Sequence, residues 1–240
     1  MVKDWARKIL WTLHLDVTRN LRYDRLTWKV MQAHLKPHSN VIDVGCHKGE
    51  VLEWILKFSP KGKHWAFEPL PHLAQHLRDQ FGSRVQVVEA ALSDQSGKTK
   101  FQFVKDSPAY SGILRREYTT DTPNIEELEV AMSTLDAQIN EAKIDLIKID
   151  VEGGEWGVLA GGAQLIARDH PLIIFEFGKG ASEYYGTTPE KMWTLLSDWG
   201  YEVYDLYSYV HQQEALTEAA LSLAFSTGGE YYFVAASRQK

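Results

Sequence analysis

Short apolar stretches alternate along the chain with segments in which apolar residues recur at helical spacing. The apolar stretches predict strands at 41–44, 64–68, 84–92, 144–149 and 172–177. The periodic segments between and after them predict helices at 50–58, 71–81, 135–141, 156–168 and 189–199. Two further strands, at 201–206 and 231–236, should pair antiparallel at the sheet edge. This alternation predicts an α/β fold, with a mostly parallel sheet and helices on both of its faces.

Two regions depart from this alternation. Residues 2–35 have mostly helical spacing with a break near residue 16, so we divide the chain into a helical extension, 1–36, and a main domain, 37–240. Residues 105–124 are irregular, which in a compact domain usually indicates a functional or mobile loop. Tyr110 and Ser111 within it could fold over a ligand, although a solvated loop fits the pattern equally well.

Acidic residues stand at the ends of four predicted parallel strands, namely Asp43, Glu68, Asp150 and Glu176. Ligands of open α/β sheets bind outside the carboxyl ends of the strands. We therefore expect these carboxylates to converge on one binding cleft.

A glycine turn, Gly45 to Gly49, follows Asp43 and precedes a helix. Such a turn lets a ligand lie on bare backbone and on the positive end of a helix. A carboxylate at this place suits a cationic ammonium or sulfonium, or hydroxyls that donate hydrogen bonds, better than a pyrophosphate. S-adenosylmethionine (SAM) carries all of these groups. His47 could line the donor site, and a histidine that faces solvent is nearly as compatible with the turn.

Glu68 lies about 20 residues beyond the glycine turn, the offset at which an acid reaches ribose hydroxyls in nucleotide-binding α/β folds. Pro69 ends its strand. A second acid-and-glycine turn contains Lys148, Asp150 and Glu152, which strand alternation places toward one side. We hypothesise that Asp150 or Glu152 orients and deprotonates an acceptor hydroxyl, and that Lys148 adjusts the pKa of that carboxylate. A purely structural network is the alternative.

Composition narrows the class of partner. The formal net charge is −6, so bulk electrostatics gives no support for nucleic acid or an anionic membrane. One cysteine, Cys46, fits a reducing compartment, and we expect a cytoplasmic protein. Asp150 and Glu152 could also hold Mg²⁺, but the sequence indicates no third ligand, so no metal site is assigned.

The chain resembles the FkbM-type SAM-dependent methyltransferases. The matching segments run in family order and are Asp43–Gly49, Phe67–Pro69, Glu89–Asp94 with Gly97, Ser133–Asp136, Lys148–Glu155 and Ile174–Glu176. The resemblance implies a seven-stranded Rossmann-like fold and SAM as the methyl donor, with S-adenosylhomocysteine as product. It usually implies a hydroxyl acceptor, here on a small metabolite or a saccharide. The resemblance also implies that Ala91 offers its backbone to the adenine.

The donor site predicted in this way comprises Asp43, Gly45, His47, Gly49, Glu68, Pro69, Ala91 and Asp150. Two other classes of function stay open. An NAD-binding oxidoreductase would normally have glycine where His47 stands. A non-catalytic module of the same fold is disfavoured by the acids at every strand end.

Overall fold

The computed structural model describes residues 18–116, 118 and 123–238. Its helices are α1 Arg19–His34, α2 Glu50–Phe58, α3 Pro71–Phe81, α4 Leu135–Gln138, α5 Glu155–Ala160, α6 Ala163–Asp169, α7 Pro189–Asp198, α8 Leu206–Val210 and α9 Glu218–Thr227. Its strands are β1 Val41–Val44, β2 His64–Phe67, β3 Gln86–Val88, β4 Ala91–Leu92, β5 Gly97–Val104, β6 Ile125–Ser133, β7 Leu146–Ile149, β8 Leu172–Glu176, β9 Tyr201–Asp205 and β10 Tyr232–Ser237.

Seven strands form the main sheet in the order β3–β2–β1–β7–β8–β10–β9. Neighbours from β3 to β8 pair in parallel, whereas β10 is antiparallel to both β8 and β9. The predicted seven-stranded, mostly parallel sheet is confirmed, and so is the antiparallel pair at its edge. Strand β10 lies between β8 and β9, so the last described strand is closer to the centre of the sheet than β9 is.

A second sheet of three strands, in the order β4–β6–β5, was not predicted. The stretch 84–92 was predicted as one strand, and this is wrong because the backbone turns after β3, where Ala90 N donates to Val88 O. Residues 91–92 then pair with β6 instead. Strand β5 belongs to this second sheet, and β6, residues 125–133, is its longest strand.

The predicted helix 156–168 is interrupted, because α5 ends at Ala160 and α6 begins at Ala163. The intervening Gly161 and Gly162 have low helix propensity. The new helix is capped from outside, since the Asp136 carboxylate accepts from the backbone N–H groups of Gln164 and Leu165 at 3.0 and 2.8 Å. Helices α8 and α9 were also not predicted.

Two apolar clusters cover the two faces of the main sheet. One contains Ile42 and Val44 with side chains from α4 to α7 and α9, and the other contains Val41 with side chains from α1, α2, α3 and α8. Helix α1 therefore packs in the same cluster as β1, and the division at residue 36 stays a prediction. The other predicted N-terminal helix lies outside the described residues. None of the helices that the structure describes is long and apolar enough to span a membrane.

Candidate active site

A cleft opens at the carboxyl ends of β1, β2 and β7 and continues toward β4. Of the residues predicted for the donor site and for the chemistry, seven line it: Gly45, His47, Glu68, Pro69, Ala91, Asp150 and Glu152. Asp43, Gly49, Lys148 and Glu176 are not among its lining residues, so only Glu68 and Asp150 of the four strand-end acids face it. Loop residues Pro108, Ala109, Ser111 and Ile113 form part of its wall. The sequence therefore identified the two turns that meet here.

The two glycine turns touch each other. Gly45 has φ +78°, and a Cβ placed there would lie 1.8 Å from the carbonyl oxygen of Asp150. Only a residue without a side chain allows this approach. Gly49 plays a packing role instead, because a Cβ there would meet Phe81 and Leu77 in α3 at 2.5 and 2.8 Å.

Glu68 holds the backbone of the first turn. Its Oε2 accepts from His47 N at 2.9 Å and its Oε1 from Leu70 N at 3.0 Å. Burial raises the pKa of Glu68 to about 7, and the two backbone N–H groups oppose this rise. Since a carboxylate oxygen can accept more than one hydrogen bond, each oxygen retains capacity for a hydroxyl donor in the cleft.

Glu155 shapes the second turn. Its Oε1 accepts from Val151 N and Gly153 N, both at 3.1 Å, and its side chain is buried. Burial raises the pKa of Glu155 to about 7. Within the turn Glu152 has φ +60°, an uncommon conformation for a residue with a side chain. Strained backbone of this kind persists where surrounding contacts fix it and often marks a functional site.

Asp150 is held by several donors below the cleft. Its Oδ2 accepts from Lys148 Nζ at 3.3 Å and from the hydroxyl of Tyr232 in β10. Glu176 also hydrogen-bonds to Asp150; burial and the charge of Asp150 raise the pKa of Glu176 well above its ordinary value. Lys148 lies 3.7 Å from Asp43, which is fully buried. Asp43 thus neutralises Lys148 beneath the cleft, and the geometry gives no support to its predicted ligand contact.

The pKa values of Asp150 and Glu152, the two acids at the second turn, are shifted in opposite directions. Burial alone would raise the pKa of Asp150, but Lys148 and the hydrogen bonds from Glu176 and Tyr232 lower it below its ordinary value. Burial and the neighbouring Asp150 raise the pKa of Glu152 to about 8, against the opposing charge of Arg116. Acids whose pKa values are pushed apart commonly divide the roles of fixed anion and proton acceptor.

Apolar side chains form the end of the cleft near the second sheet. Leu70, Leu73, Phe101 and Ile113 line it together with Ala91, and most of them pack in one cluster. The cleft thus combines an apolar end, the Glu68 carboxylate in the middle and an acidic end at Asp150 and Glu152. A ligand with a flat ring, hydroxyls and a cationic group would match this order.

No third oxygen ligand for a metal was indicated by the sequence, whereas the structure brings Glu176 beside Asp150 and Glu152. One oxygen from each of the three lies within 4.8 Å of the others. Asp150 already contacts Lys148, and Glu152 already contacts Arg116. Within the described residues, two of these three acids therefore already have a positively charged side chain as a partner.

Three residues around the acids were missed by sequence reasoning: Arg116, Glu155 and Tyr232. A signal existed for Glu155, which ends the second acid-and-glycine turn and lies four residues after Val151. Tyr232 is 82 residues from Asp150, and Arg116 lies in an irregular loop, so no local pattern connects either to its partner.

The sheet order, with one reversed strand next to the edge, and the cleft between two acid-and-glycine turns define the Rossmann-like fold of class I methyltransferases. Residues 43–203, well over half of the 240-residue chain, match the model of the methyltransferase FkbM domain. The chain therefore belongs to the FkbM methyltransferase family. This confirms the predicted family and decides against the NAD-binding oxidoreductase.

Two curated relatives and one solved structure illustrate the likeness. The 2-O-methyltransferase NoeI of Sinorhizobium fredii is 32% identical in an alignment covering 55% of this chain and 61% of NoeI. The 31-O-demethyl-FK506 methyltransferase FkbM of Streptomyces tacrolimicus is 30% identical, over 53% of this chain and 60% of that protein. The crystal structure of methyltransferase FkbM from Methylobacillus flagellatus KT has a TM-score of 0.53 at 15% identity, covering 84% of this chain and 44% of that one.

The chain thus spans about three fifths of the curated relatives' length and less than half of the solved one. At 15% identity the solved structure shows the fold alone. The family match includes both glycine turns but neither α1 nor β10, so Tyr232 reaches the site from outside the matched segment.

Proposed function

We propose that this chain transfers a methyl group from SAM to a hydroxyl oxygen. The observation that carries the proposal is the cleft in which Glu68, Asp150 and Glu152 face one ligand space in a chain of this family. In this proposal Glu68 accepts from the ribose hydroxyls, the apolar end with Ala91 holds the adenine, and the Gly45 turn lies along the methionine part.

A base must take the proton of the acceptor, and we assign this role to Glu152. Bound in the cleft, SAM would supply a sulfonium-activated methyl carbon, and the acceptor oxygen would bond to it while the carbon–sulfur bond breaks and leaves its electrons on sulfur. Burial and Asp150 raise the pKa of Glu152 to about 8, and a general base is most effective when its pKa lies near the working pH. Asp150 stays ionised beside Lys148 and orients the reactants.

The acceptor class is inferred from chemistry and from the relatives. Both curated relatives are named for methylation at oxygen. A carboxylate base with a raised pKa suits an alcohol, whose proton must be removed as the new bond forms. We therefore propose a hydroxyl of a small metabolite or a saccharide, and a reaction in the cytoplasm, as the single buried Cys46 suggests.

Two measurements test this proposal. Calorimetry with S-adenosylhomocysteine should show binding, and NAD should give none. Mass spectrometry should then detect a gain of one methyl group in a panel of p-nitrophenyl glycosides and simple polyols incubated with SAM. The variant Glu152→Gln should still bind S-adenosylhomocysteine but lose most turnover. Absence of S-adenosylhomocysteine binding, or full turnover by Glu152→Gln, would contradict the proposal.

The proposal assigns proton transfer and orientation to side chains, without a divalent cation. We expect EDTA treatment to leave the rate of methyl transfer unchanged, because Lys148 and Arg116 already balance Asp150 and Glu152. A rate that EDTA abolishes and Mg²⁺ restores would instead assign a metal to Asp150, Glu152 and Glu176.

A further inference from the structure

A loop of residues 105–116, here called the roof loop, crosses the cleft from the second sheet. Its near end is anchored to β5, because Gln102 and Gly112 exchange backbone hydrogen bonds of 2.8 and 3.3 Å. The Ser111 hydroxyl also accepts from Val104 N at 3.0 Å. Within this loop, Pro108, Ala109 and Ser111 line the cleft. The position of this loop therefore defines part of the donor-binding surface.

The far end of the roof loop is tied to the opposite wall by two contacts. Arg116 Nη2 lies 2.5 Å from Glu152 Oε2, and the backbone N–H of Leu114 donates to the Tyr185 hydroxyl at 3.0 Å. The Arg116 guanidinium also lies over the ring of Tyr110, 5.0 Å from its centroid. One side chain thus contacts the second turn and the middle of the loop.

The Arg116–Glu152 pair differs from an ordinary surface ion pair. The two side chains are only 12% and 14% exposed, so solvent screens their attraction weakly. Exposed pairs contribute little, whereas breaking a buried pair leaves an uncompensated charge and is strongly unfavourable. Arg115, the preceding residue, is exposed and supplies a natural comparison.

Given the proposed function, on which this inference rests, we propose that Arg116 is a positioning residue that aligns Glu152 and closes the roof loop over the donor. Arg116 contacts Oε2 of Glu152, and the other oxygen, Oε1, is then available to take the acceptor proton. The planar guanidinium fixes the carboxylate more firmly than a lysine would. Donor retention and base alignment therefore depend on the same contact.

Other charged and titratable groups surround Glu152 and would remain in a variant lacking Arg116; they are Asp150, Glu155, Lys148, Glu176, Tyr185 and Tyr232. Lys148 is already shared by Asp43 and Asp150. Arg116 is thus the cation that the described part of the chain brings directly to Glu152. Removing Arg116 should therefore release the loop, and Glu152 should not gain another positively charged partner.

The test compares Arg116→Ala, Arg116→Lys and the control Arg115→Ala, with S-adenosylhomocysteine as the probe. Arg116→Ala should weaken binding about tenfold and Arg116→Lys less than about threefold, while Arg115→Ala should bind like the wild type. Hydrogen exchange of the Leu114 amide should accelerate at least about tenfold in Arg116→Ala, without ligand as well as with it. Thermal unfolding of each variant shows whether the fold is intact.

The double variant Arg116→Ala with Glu152→Gln should bind no more weakly than the weaker single variant, since both remove one contact. The inference would be overturned if the losses of affinity in the two single variants multiplied in the double variant. It would also be overturned if Arg116→Ala matched Arg115→Ala in S-adenosylhomocysteine binding and in hydrogen exchange of the Leu114 amide. If the wild type fails to bind S-adenosylhomocysteine, the proposed function fails. The exchange comparison without ligand still decides separately whether Arg116 holds the loop.

Discussion

Replacing Glu68 with Gln tests the donor site without knowledge of the acceptor. Both oxygens of Glu68 accept from backbone N–H groups, at 2.9 Å from His47 N and 3.0 Å from Leu70 N. A Gln side chain has one oxygen, so one of these buried donors would face an NH₂ group instead. An unsatisfied buried donor costs about 1–3 kcal/mol, which for a chain of this size lowers Tm by roughly 5 °C.

The donor should be affected more than the fold. Loss of a charged acceptor for the ribose hydroxyls corresponds to about 1.5–3 kcal/mol, or roughly a 10- to 100-fold weaker affinity for S-adenosylhomocysteine. Because burial raises the pKa of Glu68 to about 7 and hydroxyl donors need the ionised form, wild-type affinity should increase from pH 6 to pH 8. In Glu68→Gln this increase should be absent.

Calorimetry at the two pH values measures both effects. The matched control is Glu89→Gln, because Glu89 is an exposed acid that pairs with Arg78 at 3.0 Å, and an exposed pair of this kind contributes at most about 1 kcal/mol. Affinity of Glu68→Gln within twofold of the Glu89→Gln control at pH 8 would refute the assignment of Glu68 to the ribose.

Three further predictions concern the acidic end of the cleft and the first turn. With Glu152 as base and its pKa raised to about 8, kcat/KM should rise as the pH increases through this range, whereas Glu152→Gln should show no such rise. Tyr232→Phe removes a donor to Asp150 and should lower kcat at least about tenfold. The control Tyr231→Phe should leave kcat unchanged, because the Tyr231 hydroxyl bonds only to Asn20 among the described contacts. Equal kcat values for the two variants would exclude a role of Tyr232 in the reaction. Gly45→Ala should destabilise the fold by about 3 kcal/mol in urea unfolding, because its Cβ would overlap the Asp150 carbonyl at a positive φ; wild-type stability would contradict the turn geometry.

Most of the main sheet could be predicted because each strand is a short apolar run that ends at an acid or a glycine. The segments around Asp43, Glu68 and Asp150 combine buried strands with turn residues, and both signals are local. The second sheet could not be predicted in the same way. Its strand β6 pairs antiparallel with β5, and facing residues such as Phe101 and Leu128 are about 30 residues apart in the chain.

The candidate site was likewise predictable only where the signal in the sequence is local. Most residues of the two turns that were singled out from the sequence line the cleft, whereas Asp43, Gly49 and Lys148 are packed or paired away from it. Arg116 and Tyr232 escape prediction because tertiary packing alone brings them to the acids. A single sequence therefore indicates which turns form the cleft, whereas the residues that pair with its acids emerge from the fold.

The ion group beneath the cleft constrains how this chain can diverge. Lys148 lies between Asp43 and Asp150, so replacing the lysine alone leaves two acids uncompensated in the interior, and replacing Asp43 alone leaves the lysine underpaired. Substitutions at these three positions are therefore coupled rather than additive. Among descendants of a common ancestor, we expect the three residues to be retained or exchanged together, even where the surrounding apolar side chains drift freely.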